Sequence, residues 1–465
     1  MVAESDETRN ANAPAVTVVG AGLAGCEAAW QLARLGCGVR LFEMRPAVET
    51  GAHRTAGPAE LVCSNSFKGR DISGSHGALK AEGRLLGSLL LHLAEECAVP
   101  AGAALAVDRE RFSRAVERTL TDEPLIELIR REVTTFPDAP AILAAGPLLS
   151  PALAGELRSE LGSRRLFFHD ATAPVVTRES LDESCLFAAG RHGRDGDYLN
   201  VGLSREDYAA FIEVLRNAPR APVAGIEEDL SDGDYAVFEG CLPLEVLAGR
   251  SPEAPRFGPL RPVGLRNPAT GESYHAVLQL RAEDAAGERW GLVGCQTRLT
   301  PPAQRDLFRR LPGLERAEFV RYGRMHRNGY LDGPRLLRPT LELRGRPGVF
   351  VAGQLSGAEG YTEAVVTGLL AGVSLARRLI GLSPLTPPRE SLLGALTRTL
   401  AGEGLAPGTA AGPVSANFGL TPPLNVKVRG RRHRRRARAL RGLAACRAFN
   451  HRLRSTPLPH PGANP

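Results

Sequence analysis

The sequence predicts an α/β protein. Its core is a Rossmann-like dinucleotide-binding domain, interrupted by an inserted α+β domain and followed by a helical, basic C-terminal segment. Three observations carry this reading. A glycine-rich turn joins an apolar strand to a helix within residues 15–43, and a second buried strand with a glycine-punctuated turn lies at 348–372. Between them the pattern changes to short strands set among Gly- and Pro-rich loops.

The first unit is "AVTVVGAGLAGCEAAWQLARLGCGVRLFE". Val16, Val18 and Val19 read as a strand, Gly20-Ala21-Gly22-Leu23-Ala24-Gly25 as the turn and Glu27 through Leu35 as a helix. A second strand, Val39–Phe42, ends at Glu43. Gly20 permits the tight turn, Gly22 lets the backbone approach a pyrophosphate, and Gly25 lets helix and strand pack closely. The helix N-terminus then faces the phosphates. Glu43 is placed to accept hydrogen bonds from a ribose.

That unit alone serves FAD and NAD equally. Two later stretches favour FAD. "AILAAGP" (141–147) is a buried strand ending in small residues, and "GVFVAGQLSGAEGYTEAVVTGLLAG" (348–372) is a strand, a turn and a small-residue helix. In the latter, Gly353, Gln354, Glu359, Gly360 and Tyr361 are candidate cofactor contacts. A helix starting after Gln354 would aim its dipole at the pyrimidine edge of a flavin and stabilise charge on the reduced ring.

The intervening residues include "RLFFHDATAPVVT" (165–177) and two runs within 274–299 that form a hairpin around Ala285-Ala286-Gly287. The expected organisation is a disordered N-terminus (1–14), a first FAD-binding part (15–150) and an inserted substrate domain (151–315). A second FAD-binding part (316–382), a helical basic segment (383–454) and a disordered tail (455–465) complete it.

A hydrophobic content of 43% with 23% charged residues is that of a soluble globular protein. No uncharged apolar run reaches the roughly 18 residues of a membrane span. The first fifteen residues are polar and acidic, and are expected to be neither signal peptide nor presequence. The eight cysteines are scattered, which argues against a metal cluster or a disulfide framework and leaves thiols available in a reducing cytoplasm. Residues 427–441, "KVRGRRHRRRARALR", hold Lys427, eight Arg and no acid, more than the whole net charge of +7. A local polyanion contact is the natural use of such a run.

Two thiols stand out. Cys63 in "AELVCSNSFKG" and Cys241 in "DYAVFEGCLPLEVLAGR" each read as the end of a strand before a helix start, where a thiolate is favoured. Ser64, Asn65 and Ser66 offer polar donors beside Cys63, which makes it the expected nucleophile and Cys241 the expected base.

These stretches, with "LFEMRP", "FGPLRPVGL", "LPGLERAEFVRYGRMHRN" and "GAEGYTEAVVTGLLAG", resemble the folate- and FAD-dependent tRNA (uracil-5-)-methyltransferases. This is the TrmFO family of GidA-like flavoproteins, and the resemblance runs from about residue 15 to 445. It implies formation of 5-methyluridine at position 54 in the tRNA T-loop. The carbon would come from 5,10-methylenetetrahydrofolate and the hydride from FAD, restored by NADH or NADPH. It also implies catalysis by Cys63 and Cys241, a role for Tyr361 stacked on folate or flavin, and tRNA phosphate contacts at Arg434, Arg435 and Arg436. No membrane or dedicated protein partner is expected. A GidA-type wobble-uridine enzyme would share the FAD unit but not the thiol pair. A plain NADH-dependent flavin oxidoreductase would not need the arginine run.

Overall fold

The computed structural model describes residues 15–162, 166–191, 196–222, 242–405 and 412–454, apart from the side chains of 166–170, 326, 327 and 454. The two ends expected to be disordered, and Cys241, lie outside the described residues.

Strands rich in Val, Ile and Leu build a five-stranded parallel sheet. Its order is Val349–Val351, Ala141–Leu143, Val16–Val19, Val39–Glu43 and Ile126–Arg130. Parallel sheets need cover on both faces, which is why Ala141–Leu143 is apolar throughout and Val16–Val19 carries a single polar residue, Thr17. The helix Leu23–Arg34 packs against the long helix Tyr361–Leu379, and small residues set the distance between them. A Cβ at Gly368 would lie 2.2 Å from the Ala24 carbonyl oxygen, and one at Gly372 2.7 Å from that of Ala28. Their spacing of four puts both glycines on one helical face, so the two backbones touch.

The structure corrects three local expectations. The first helix begins at Leu23, not Glu27, because Gly22 is already its extended N-cap. The long helix begins at Tyr361, not after Gln354. A 3-10 turn (Gly353–Ser356) intervenes, and Gly357 and Gly360 have positive φ. No helix follows Cys63. Residues 61–65 carry no regular structure and lead into the strand Ser66–Gly69.

A second core is built on a six-stranded antiparallel sheet. Its strands run, in spatial order, Leu186–Ala188, Tyr198–Leu203, Ala276–Ala282, Arg289–Val293, Val175–Thr177 and Phe319–Arg321. The expected hairpin is present, with Gln279 opposite Val293 and Ala282 opposite Trp290. Helices Arg205–Asn217 and Leu244–Arg250 bury Phe211, Leu215 and Leu244 in its apolar core.

The C-terminal part packs on the helix Ser75–Leu85. Buried Glu82 accepts the N–H groups of Leu392 and Leu393 at 2.9 Å each and so completes the cap of the helix Leu392–Leu400. The basic run forms the start of the helix Arg431–Arg454. Among the described residues no helix is long and apolar enough to cross a membrane.

Candidate active site

The glycine turn closes on itself. Gly20 has φ +99°, and a Cβ there would meet the Ala144 carbonyl oxygen at 2.6 Å. A Cβ on Gly25 would come within 1.8 Å of the Gly20 carbonyl oxygen, so helix and strand meet only because both positions are glycine. Gly22 differs. It is extended, and a Cβ there would meet nothing within 4 Å. Its backbone therefore borders open space of the kind a pyrophosphate needs.

Glu43 finishes the turn. Its Oε2 accepts the Ala21 N–H at 3.1 Å, and its Oε1 accepts the Arg45 backbone N–H at 3.1 Å and Nε at 2.8 Å. Burial alone would raise its pKa, but the hydrogen bonds and charge of Arg45 outweigh it and hold the carboxyl below its ordinary value. Oε2, with one protein donor, keeps a lone pair for a hydroxyl.

A cavity of about 410 Å³ runs from this turn to Cys63. Gly20, Gly22, Leu23, Ala24 and Glu43 line one part, while Ala21 and Gly25 sit behind it. Gly353, Gln354, Glu359, Gly360 and Tyr361 line another, with the Gln354 amide hydrogen-bonded to the Glu359 carboxylate. The start of the long helix, Tyr361 to Ala364, thus borders the cavity and brings its dipole to it. The predicted cofactor contacts are brought together around one space.

Cys63 stands on the same wall, held from a distance. The Tyr361 hydroxyl lies 3.1 Å from the Cys63 Sγ and accepts the N–H groups of Cys63 at 2.9 Å and Ser64 at 3.2 Å. A phenol oxygen has two lone pairs and one proton. With both lone pairs engaged, the proton is left to point at the sulfur. Burial, then the nearby Cys63, pushes the Tyr361 pKa well above its usual value, so the proton stays on.

Two guanidinium groups grip the residue before it. Arg109 Nη1 and Arg321 Nη1 both donate to the Val62 carbonyl, at 3.2 and 3.1 Å, and Arg109 also reaches the Leu61 carbonyl at 2.7 Å. Arg109 Nε pairs with Glu283 at 2.7 Å. Burial and the charge of Arg109 bring Arg321 down to about 10, still protonated at neutral pH. Nearby positive charge favours an anionic sulfur.

The donors expected from the polar run are elsewhere. The Asn65 amide binds the carbonyls of Val107 and Ala282 at 3.0 Å each, tying the loop to the second sheet. The Ser64 Oγ accepts the Ser66 N–H. The sequence reading missed Arg45, Arg109 and Arg321, although Arg45 and Arg321 both lay inside quoted motifs. Buried nitrogens of Arg281 and Arg321 (Nε in each) find no hydrogen-bond partner among the described residues, and both side chains line the cavity.

Several other thiols are placed for packing. Cys26, Cys295 and Cys446 are buried, and burial pushes each thiol up. Arg434, Arg435 and Arg436 lie away from the cavity, exposed on the basic helix, with no carboxylate partner among the described residues. Their neighbours have structural uses, since Arg432 pairs with Asp71 at 3.0 Å and Arg438 binds the Phe418 carbonyl at 2.6 Å.

Residues 15–383 match the family described as "Glucose inhibited division protein A". A methylenetetrahydrofolate--tRNA-(uracil-5-)-methyltransferase TrmFO of Moorella thermoacetica is 49% identical over 430 residues, covering 92% of this chain and 96% of that protein. A protein of the same name from Thermus thermophilus is 48% identical over 451 residues, covering 96% and 99%. Among solved structures, Aquifex aeolicus GidA in its form II crystal superposes with a TM-score of 0.68 at 16% identity. It covers 94% of this chain and 73% of that one, a likeness of fold.

Proposed function

The chain belongs to the TrmFO family within the GidA flavoproteins and is a methylenetetrahydrofolate–tRNA (uracil-5-)-methyltransferase; we propose that its target is the T-loop uridine at position 54 and that Cys63 and Cys241 carry the thiol chemistry. One observation carries the assignment of Cys63. Its sulfur meets the Tyr361 hydroxyl, and its loop is held by two arginines at the wall of the cavity that the glycine turn opens into.

The residues present fit FAD. Gly22 borders open space, Glu43 keeps a lone pair for a ribose hydroxyl, and the long helix starts at the cavity. Gly20 to Gly25 with Glu43 would hold the pyrophosphate and ribose. Gly353, Gln354, Glu359, Gly360 and Tyr361 would border the ring. When bound, FAD supplies hydride to a one-carbon unit given by methylenetetrahydrofolate, with NADH or NADPH as the source of electrons.

The chain's own residues do the rest. Uracil C5 is a poor nucleophile until a group adds at C6. A thiolate adding there moves the C5–C6 electron pair into an enolate that can attack an activated carbon. The proton on C5 must then pass to a base. A sulfur that accepts a hydrogen bond beside two guanidinium groups suits either task, and Cys241 takes the other. Arg434, Arg435 and Arg436 supply phosphate contacts, supported by their exposure and the lack of acid beside them. A tRNA substrate fits a cytoplasmic enzyme.

The test uses tRNA carrying 5-fluorouridine at the target, since fluorine cannot leave as a proton does. The wild type should form a covalent protein–RNA adduct. Cys63→Ala should lose the adduct and keep its FAD if Cys63 adds at C6. If Cys63 is the base, Cys63→Ala should keep the adduct and lose turnover, and Cys241→Ala should lose the adduct. Normal methylation by both single variants would exclude thiol catalysis at these positions.

A further inference from the structure

The motif "FGPLRPVGL" (257–265) has no place in the chemistry above, yet it is held in a specific shape. Leu260 and Leu265 are buried, whereas Phe257 is 72% exposed and Val263 51%. The loop is tied down along its length. The Val277 N–H donates to the Leu260 carbonyl at 3.0 Å, and Arg191 Nη1 donates to the Val263 carbonyl at 2.8 Å. Arg191 is itself fixed, its Nε on Gln279 Oε1 at 3.1 Å, and the Gln279 amide donates to Asn200 Oδ1 at 3.0 Å. Asn200 is fully buried and anchors on the carbonyls of Phe187 and Ala189. A buried polar chain thus holds the loop at Val263, and Phe257, the last residue of the short helix Ala254–Phe257 that leads into it, presents its ring to water.

The surroundings of that ring are cationic. The Arg256 guanidinium lies 5.3 Å from the Phe257 ring centroid. Arg261 and Arg266 are exposed, and neither has a carboxylate partner among the described residues. Burial, then the charge of Arg261, disfavours the protonated form of Arg191, so the two guanidinium groups stand close enough to repel. Glu253, paired with Arg256 at 3.2 Å, is the one acid engaged with this set among the described residues. The position is equally telling. Pro259 packs on Gly294, where a Cβ would come within 2.4 Å of the Pro259 Cβ, and Gly294 lines the active cavity.

We propose that Phe257 is a stacking platform for an unpaired tRNA base beside the target uridine, with Arg191, Arg261 and Arg266 meeting the adjoining phosphates. The proposal rests on the tRNA reading above. A loop uridine that enters the cavity leaves its stack, and its neighbour loses a π-face. An exposed aromatic ring two residues from a proline packed on the cavity wall, backed by a guanidinium, offers a replacement without reading sequence. The unpaired positive charge selects a polyanion over an apolar protein surface.

The experiment measures binding of an unmodified T-arm stem–loop and methylation of full tRNA by the wild type, Phe257→Ala, Phe257→Leu and Phe257→Tyr. Loss of one stacked base should weaken RNA binding of the Ala variant about tenfold, with FAD content and the salt dependence of binding unchanged. Phe257→Tyr should rescue, and Phe257→Leu should not. Arg434→Gln, Arg435→Gln and Arg436→Gln combined provide the contrast, since removing phosphate contacts flattens the salt dependence. Binding by Phe257→Ala within twofold of wild type, or equal rescue by Leu and Tyr, would overturn the platform while leaving methyltransfer standing. Absence of methylation by the wild type would sink the functional reading instead, and the binding measurements would still judge the surface.

Discussion

The glycine turn and the Cys63 loop border one cavity and are built in opposite ways. The turn is finished by its own backbone and by a carboxylate 22 residues from the amide it binds. The loop has no regular structure of its own, and its conformation depends on Arg109, Arg321 and Tyr361, the last 298 residues from Cys63. A device made of backbone fails when one Cβ intrudes. A device made of distant side chains fails by degrees, as each support is removed. Cofactor binding and thiol reactivity should therefore respond to different kinds of substitution.

The largest effect belongs to the turn. Gly22 has φ −77° and ψ −174°, which any residue adopts, and a Cβ there meets nothing. Gly22→Val should fold normally and fill the space where a pyrophosphate would lie. The purified variant should be colourless and inactive in methylation, with an unfolding midpoint close to that of wild-type protein stripped of flavin. Full flavin occupancy would remove the turn from the cofactor site.

The same contrast decides what could be read in the sequence. Gly20, Gly22, Gly25 and Glu43 are legible because their work is local and their spacing follows from strand, turn and helix geometry. The hairpin across Ala285-Ala286-Gly287 is legible for the same reason. The supports of Cys63 are not. Arg109 starts the amphipathic helix Arg109–Thr121, and its role appears only when the fold carries Glu283 to it. The sequence offers Tyr361 as a stacking ring, and only the structure brings its hydroxyl to the sulfur. No helix follows Cys63; the Asn65 amide is taken by the carbonyls of Val107 and Ala282, and the chain runs on into the strand Ser66–Gly69.

An intermediate effect should come from Arg109. Glu283 is 8% exposed, and beyond Arg109 its nearest cation, Arg281, is 4.0 Å away. Arg109→Met leaves that carboxylate buried with little compensation, which costs about 3–5 kcal/mol when a buried pair is broken. Urea unfolding should register the loss. Adding Glu283→Gln should recover most of the stability, because the uncompensated charge is gone, but not the methylation rate, because the loop has lost its hold at Leu61 and one of its two holds at Val62. If the double variant regained full activity, the arginine would be a structural ion-pair partner and nothing more.

The smallest and most specific effect concerns Tyr361→Phe. Phenylalanine keeps the ring and its edge contact with Phe67 at 5.7 Å, so the fold should survive. What disappears is one oxygen that accepts two backbone N–H groups and donates its proton toward Sγ. A hydrogen bond to an anionic acceptor is worth about 1.5–3 kcal/mol, and about 1.4 kcal/mol is tenfold in an equilibrium. The direction follows from which form is favoured. The bond stabilises thiolate over thiol, so removing it must raise the thiol pKa and shrink the thiolate fraction at neutral pH. Alkylation of Cys63, followed by mass spectrometry of its peptide, should slow about tenfold at pH 7. The rise of its rate with pH should move about one unit to the alkaline side, and the gap from wild type should close once both sulfurs are ionised. Arg109 and Arg321 remain, so reactivity should be reduced and not abolished. An alkylation profile that does not move would mean that the tyrosine only fixes the loop backbone, and that the arginines alone set the charge on the sulfur.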